Sequence, residues 1–179
     1  MISLYSMLWV CAAFFGVIGV IRGLRREVVA LGGIILATFA LFQFDNIIRG
    51  TLLATAGRTE AFFVQVGLFG VIVYFAYQTR SIGAFEEERS GARVSRLQDA
   101  ILGGLLGAVN GYLIWGSVWY FLDINEYPLS PLVAAPTIDS VSAQSLNAIP
   151  LVLIGGATGS GEIFTIIVVL LFLAVLFVI

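Results

Sequence analysis

Read from its first residue, the chain alternates long apolar stretches with short clusters of charge. A spanning helix needs about 20 apolar residues, because each rises about 1.5 Å through roughly 30 Å of hydrocarbon. Five stretches meet that length or come close to it: Ser3 to Ile21, Val28 to Phe44, Ala61 to Thr79, Ala100 to Leu122, and Ile163 to Ile179. The pattern predicts an all-α integral membrane protein, with four helices in one unit over residues 1–123, a connection over 124–162, and a fifth, C-terminal transmembrane helix over 163–179. The first stretch has no positive segment before it, and its arginines follow it, so it reads as a retained anchor and not as a cleaved signal. The last stretch has no polar group stronger than Thr165 and should face lipid on most of its surface.

Composition agrees with that reading and removes several function classes. The 179 residues are 60% hydrophobic and 11% charged, against roughly a quarter charged in an ordinary soluble domain. The net charge is -2, with no Lys and no His. Without a basic surface, nucleic acid is not an expected partner. Without imidazole, most nucleophile systems and many zinc sites are out of reach, so no catalytic residue, metal or cofactor is expected. Cys11 is the only cysteine; it lies within an apolar stretch and behaves as a small hydrophobe.

Arginine alone marks the sidedness of the chain. Arg22, Arg25 and Arg26 lie between the first and second stretches, and Arg80, Arg89, Arg93 and Arg96 between the third and fourth, while Arg49 and Arg58 fall on the other side. The positive-inside rule then places the N-terminus outside and the C-terminus in the cytoplasm. The chain up to Arg96 totals +3 and the remainder -5. The connection from Asp123 to Glu162 has no cation and holds all four prolines, as suits a translocated, irregular segment. Its run Ile149 to Ile154 is too short to span and reads as interfacial or packed on the bundle, with Gly155 to Gly161 as a flexible lead into the last helix. The connection from Arg80 to Gln98 mixes acidic and basic residues and reads as a solvated segment.

Within the fourth stretch Gly103, Gly107 and Gly111 recur every four residues on one helix face, which permits close approach of another backbone. Gly19 and Gly23 form a shorter version at the end of the first, so these two helices are expected to pack together. The same stripe, or the fifth helix, could instead meet a second copy or another membrane protein. Asn110, beside Gly111, should point into a helix interface and find a hydrogen-bond partner there; Gln65 and Thr38 are weaker polar candidates. No carboxylate falls inside a proposed span, which argues against a proton-coupled pump. In the turn between the first two helices, Arg22 and Arg26 suit the headgroup region and Glu27 the positive end of the second helix. Together the three could form a cytoplasmic contact for an anionic lipid or a partner. The glycines from Gly155 to Gly161 lack the Lys of a phosphate loop.

Two segments resemble the CvpA family, the bacterial colicin V production proteins. Ile21-Arg22-Gly23-Leu24-Arg25-Arg26-Glu27 is similar to that family's turn after its first helix. The run from Asp99 through Leu102, Gly103, Gly107, Ala108 and Gly111 to Asp123 resembles its Asp followed by a glycine-spaced helix. The resemblance covers about residues 1–123 and implies a four-helix bundle in the bacterial inner membrane, linked to colicin V production and envelope phenotypes, with no established molecular activity. Two departures stand out: the family usually has Arg where this chain has Asn110, and it tends to end in a non-spanning tail where this chain continues into a fifth helix. The expected function is therefore that of a non-enzymatic membrane protein supporting toxin production, export or envelope homeostasis. An accessory or scaffold subunit of a larger membrane complex is the alternative, and a small channel or transporter a weaker one.

Overall fold

A computed structural model describes residues 3–52, 55–78, 96–155 and 161–178; the Arg80 to Gln98 connection lies mostly outside them, as does most of the Gly155 to Gly161 lead. Among the described residues every regular element is helical. Two long helices, α1 (Leu4–Arg22) and α2 (Leu24–Gln43), are separated by Gly23 alone. A short α3 (Asp45–Ile47) and a π-helical turn (Ile48–Leu52) follow, then α4 (Arg58–Gln78) and the longest helix, α5 (Arg96–Ile124). The remainder comprises α6 (Val141–Gln144), a 3-10 turn (Leu146–Ala148), α7 (Pro150–Gly155) and α8 (Glu162–Val178). Three of the helices, α1, α4 and α5, are long and apolar enough to cross a membrane.

The predicted boundaries shift at charged ends. The second helix begins at Leu24, four residues before Val28, and the fourth begins at Arg96, four before Ala100. Charge does not end a helix; it ends only the apolar run from which the helix was read. Gly23 makes the break between α1 and α2 at φ +81, in the left-handed region that glycine enters without steric cost.

The central element is α5, which touches α1, α2, α4 and α7, whereas α1 and α2 touch each other far less than either touches α5. The expected pairing of the first and fourth apolar helices is the most extensive contact among the described elements. They run antiparallel with a four-residue register: Gly23 meets Asp99, Gly19 meets Gly103, the Phe15 carbonyl meets Gly107 and the Cys11 carbonyl meets Gly111. A methyl group on Gly107 would lie 2.9 Å from the Cα of Gly19, and one on Gly103 2.8 Å from the carbonyl carbon of Gly23. Backbone therefore packs on backbone along the whole stripe.

After α5 the chain reverses. Glu126 (φ 56) and Tyr127 (φ 52) adopt left-handed backbone, rare for residues with a side chain. The buried Tyr127 hydroxyl accepts from Trp119 Nε1 at 3.3 Å and donates to Asp123 Oδ1 at 3.0 Å, which offsets that strain. The following segment descends along α5. Ser142 bonds Ser3 Oγ at 3.1 Å and accepts from the Tyr5 amide at 3.3 Å; Tyr112 donates to the Ala148 carbonyl; and Pro150 packs on Gly116. Tyr112 lies 12 residues before the end of α5, or roughly 18 Å at 1.5 Å per residue. Ile149 and Leu151 are both 1% exposed, so of the two readings of the Ile149 to Ile154 run, packing on the bundle is the one the structure adopts. From there α7 turns back, and α8 starts against Phe39 and Phe42 through Phe164.

Candidate functional site

The glycine register brings the turn Arg22–Glu27 against α5, and two of the bundle's buried polar side chains, Glu27 and Asn110, meet there. Glu27 is fully buried, although it belongs to the first turn of α2. A carboxylate removed from water needs partners on every side, and Glu27 draws them from three other helices. Arg22 of α1 pairs with its Oε1 at 2.7 Å. Asn110 of α5 donates through Nδ2 to its Oε2 at 2.7 Å and to its backbone carbonyl at 3.2 Å. Tyr77 of α4 reaches Oε2 through its hydroxyl at 3.4 Å.

Arg22 is fixed twice more. Its Nη2 donates to the Tyr77 carbonyl at 2.9 Å, and its guanidinium lies 4.3 Å from the centre of the Tyr77 ring, a cation–π arrangement. One cation and one anion leave the knot electrically neutral. Asn110 keeps one unsatisfied group, its Oδ1, which is buried without a partner among the described residues.

The start of α2 is completed from outside its own sequence. Its first N–H groups have no intrahelical acceptors, and Gly23 has no side chain to cap them. Asp99, one turn before Gly103 on the same face of α5, accepts from the Leu24 amide at 3.1 Å. Its carboxylate fills the space that a Cβ on Gly23 would need, so the glycine and the aspartate form one device.

Each expected site residue can now be located. Gly19, Gly23, Gly103, Gly107 and Gly111 lie in the α1–α5 contact, Asn110 is buried and bonded to Glu27, and Arg22 and Glu27 are brought together. Arg26 is not part of the knot; it is exposed, as is Arg25. Thr38 is buried and donates to the Ile34 carbonyl of its own helix. Gln65 belongs to a second polar cluster, where its Nε2 donates to Asp45 Oδ1 at 2.8 Å and its Oε1 accepts from Asn125 Nδ2 at 2.7 Å. Burial raises the Asp45 pKa, and Arg49 and Gln65 work against that rise. Tyr77 and Asn125 were not singled out from sequence, since nothing in an aromatic or amide near a helix end announces a long-range partner. Asp99 had a signal, because it extends the glycine spacing by one turn.

No group of three or more acidic, Cys or His side chains able to hold a metal occurs among the described residues. The arrangement is one of fixed, mutually bonded polar groups tying four helices together, with the Asn110 Oδ1 left over. A family model described as Colicin V production protein matches residues 6–150, well past the 1–123 over which the resemblance was read, and includes the descending segment up to Pro150. No curated protein and no solved structure matches the chain significantly. The chain belongs to the Colicin V production protein family.

Proposed function

We propose that this member of the Colicin V production protein family is a non-enzymatic, multi-pass protein of the bacterial inner membrane that supports colicin V production or export, or the envelope homeostasis on which export depends. The observation that carries this reading is the family match over residues 6–150, joined to a site whose chemistry consists of packing and neutralised charge. In this reading α2 and α8 cross the membrane along with α1, α4 and α5, the N-terminus is outside, and Arg25 and Arg26 face the cytoplasm beside anionic headgroups.

The test has two arms. In a Cys11→Ala background, cysteines placed at the exposed positions Arg25 and Thr137 should be labelled from opposite faces of the membrane by an impermeant maleimide; labelling from one face overturns the topology. In a bacterium lacking its own family member, the wild-type chain should restore colicin V release and envelope resistance. A membrane-inserted wild-type chain that restores neither overturns the role.

A second reading, a scaffold subunit of a larger membrane complex, has one observation in its favour. The glycine stripe is occupied by α1 within the chain, whereas α8 contacts α2 and α7 and exposes Ile163, Ile166, Val169 and Leu170. A second copy or another membrane protein would then be met through α8. Purification in mild detergent distinguishes the readings: a large stable assembly favours the scaffold, and a lone monomer counts against it.

A further inference from the structure

A cleft of about 320 Å³ opens between the first turn of α1 and the segment that descends from α5, a size within the roughly 300–1,000 Å³ of ligand pockets. Its apolar lining includes Leu4, Met7, Trp115, Val133, Ala135 and Pro136, and four hydroxyl residues, Ser3 and Ser140 among them, complete it. Trp115 is held as a fixed wall by its Nε1 bond to the Leu4 carbonyl at 3.1 Å. At its rim the lining residue Leu132 is 90% exposed, and close by in the same segment Ile138 is 91% exposed. Singly exposed apolar residues are ordinary; two almost bare ones next to an apolar cleft point to something that covers them.

Position and charge identify the occupant. The 19 residues of α1 rise about 28 Å, close to the thickness of the hydrocarbon layer. Its first turn, and the cleft built on it, therefore lie at one edge of that layer. The exposed apolar surface continues along α1 through Trp9, Val10 and Phe14. From Asp123 to Glu162 the chain has no cation, and the two arginines on this side, Arg49 and Arg58, bond the Ile124 carbonyl and Glu126 away from the cleft, so the cleft's own walls hold no cation for a phosphate and suit a hydrocarbon chain. We propose that the cleft is a lipid site, taking one acyl chain of a phospholipid from the leaflet at the N-terminal end of α1, with Leu132 and Ile138 inserted beside it just below the headgroups. Binding does not depend on headgroup charge, unlike binding at the arginine-bearing turn at the other end of α1. The proposal rests on the multi-pass reading for its membrane but not on any role in export.

The test places a bimane probe on Leu132→Cys or Ile138→Cys in a Cys11→Ala background, with the protein reconstituted in phosphatidylcholine vesicles. Acyl chains brominated near the headgroup end should quench each probe at least twofold, and aqueous iodide should have little effect. Quenching by iodide with none by bromolipid overturns the proposal, as does shielding from both, which would indicate a protein cover. Ala135→Trp and, separately, Val133→Trp fill the cleft; each should lose one retained phospholipid per chain in native mass spectrometry, equally for zwitterionic and anionic lipid. Unchanged retention in a folded variant overturns the cleft assignment. Loss of the wild-type protein from the membrane fraction would instead break the multi-pass reading, so the two failures are distinguishable.

Discussion

Gly107→Ala tests the idea that backbone contact between α1 and α5 organises the bundle. The added methyl would lie against the Phe15 carbonyl, 2.9 Å from the Cα and 3.1 Å from the N of Gly19, where non-bonded carbon atoms prefer about 3.5–4.0 Å. The obstacle is main chain on a rigid helix, so the two helices must separate by several tenths of an ångström along their whole contact. Overpacking of this kind costs about 1–3 kcal/mol. The substitution also gains helix propensity, about 0.8–1.0 kcal/mol, which would blur a single measurement. Gly67→Ala supplies the correction, because Gly67 also lies within a helix but has nothing within 4 Å of an added Cβ. Subtracting one result from the other leaves the packing term, about 1–3 kcal/mol, or roughly 5- to 150-fold in the folding equilibrium.

The assay is reversible unfolding by SDS in mild-detergent micelles, followed by tryptophan fluorescence, with Gly70→Ala as a second unobstructed control. Gly103→Ala combined with Gly107→Ala should cost less than the sum of the two, because helices already moved apart for one methyl admit the next more easily. Equal unfolding midpoints for Gly107→Ala and Gly67→Ala would refute the packing argument outright.

The remaining predictions concern the polar groups. Arg22→Ala should destabilise by about 3–5 kcal/mol, because it leaves a buried carboxylate without its cation; Glu27→Ala should cost less, since the Arg22 side chain is 17% exposed against 0% for Glu27 and can turn outward. The double variant should fall near Glu27→Ala in the same assay, and strict additivity would show that the pair does not act as a unit. Asp99→Ala should lose about 0.5–2 kcal/mol, as for other lost helix caps, and Asp99→Asn, which keeps an acceptor for the Leu24 amide, should lose less; equal losses would exclude capping. At high pH, burial pushes the Tyr127 hydroxyl up to about 12, the Asp123 carboxylate adding to the rise and the Trp119 bond opposing it. The folded state therefore favours the neutral phenol, and this stabilisation is present below the ordinary tyrosine pKa of about 10 and is lost as pH rises towards 12. The stability of wild type should fall through that window more steeply than that of Tyr127→Phe, and parallel pH profiles would contradict the assignment.

Some of this architecture was legible because it is local and periodic. The glycines of α5 and the pair in α1 announced their contact through four-residue spacing alone, and Asn110 announced its burial by sitting beside Gly111. The positions of Glu27 and Asp99 were half legible. Charge marked the turn, and Glu27 read as suited to the positive end of the second helix, where it lies, but the apolar run concealed that α2 begins at Leu24 and that Glu27 is buried there. The return of the chain after α5 was not legible, because its ties join residues far apart, such as Ser3 with Ser142 and Tyr112 with Ala148, and hydroxyls carry no sequence signature of a distant partner. The prolines suited an irregular segment, yet such a segment can hang free or fold back, and composition is the same in either case.

The two kinds of contact divide the work in a way the bilayer explains. Lipid tails are as apolar as the helix surfaces, so burial of hydrocarbon gives little reason for helices to associate, and close packing and polar bonds must provide it. Along α1 and α5 the contact is backbone against backbone, which is strong in dispersion but repeats every turn and could slip by four residues. Slipping by one turn would remove Asp99 from Gly23 and the Leu24 amide, leaving a carboxylate unpartnered and a helix end uncapped. Because Gly23 alone joins α2 to α1, α2 moves with it, and the same slip would carry Asn110 away from Glu27. The stripe thus supplies adhesion while the polar groups select one register, the best-attested use of buried polar groups in helical assemblies. It follows that Asn110→Leu should affect uniqueness more than adhesion. Cysteine pairs placed across α1 and α5 in a Cys11→Ala background should cross-link in one register in the parent and in that register plus its one-turn neighbour in the Asn110→Leu variant. A single register in both would mean that the glycines alone determine the alignment.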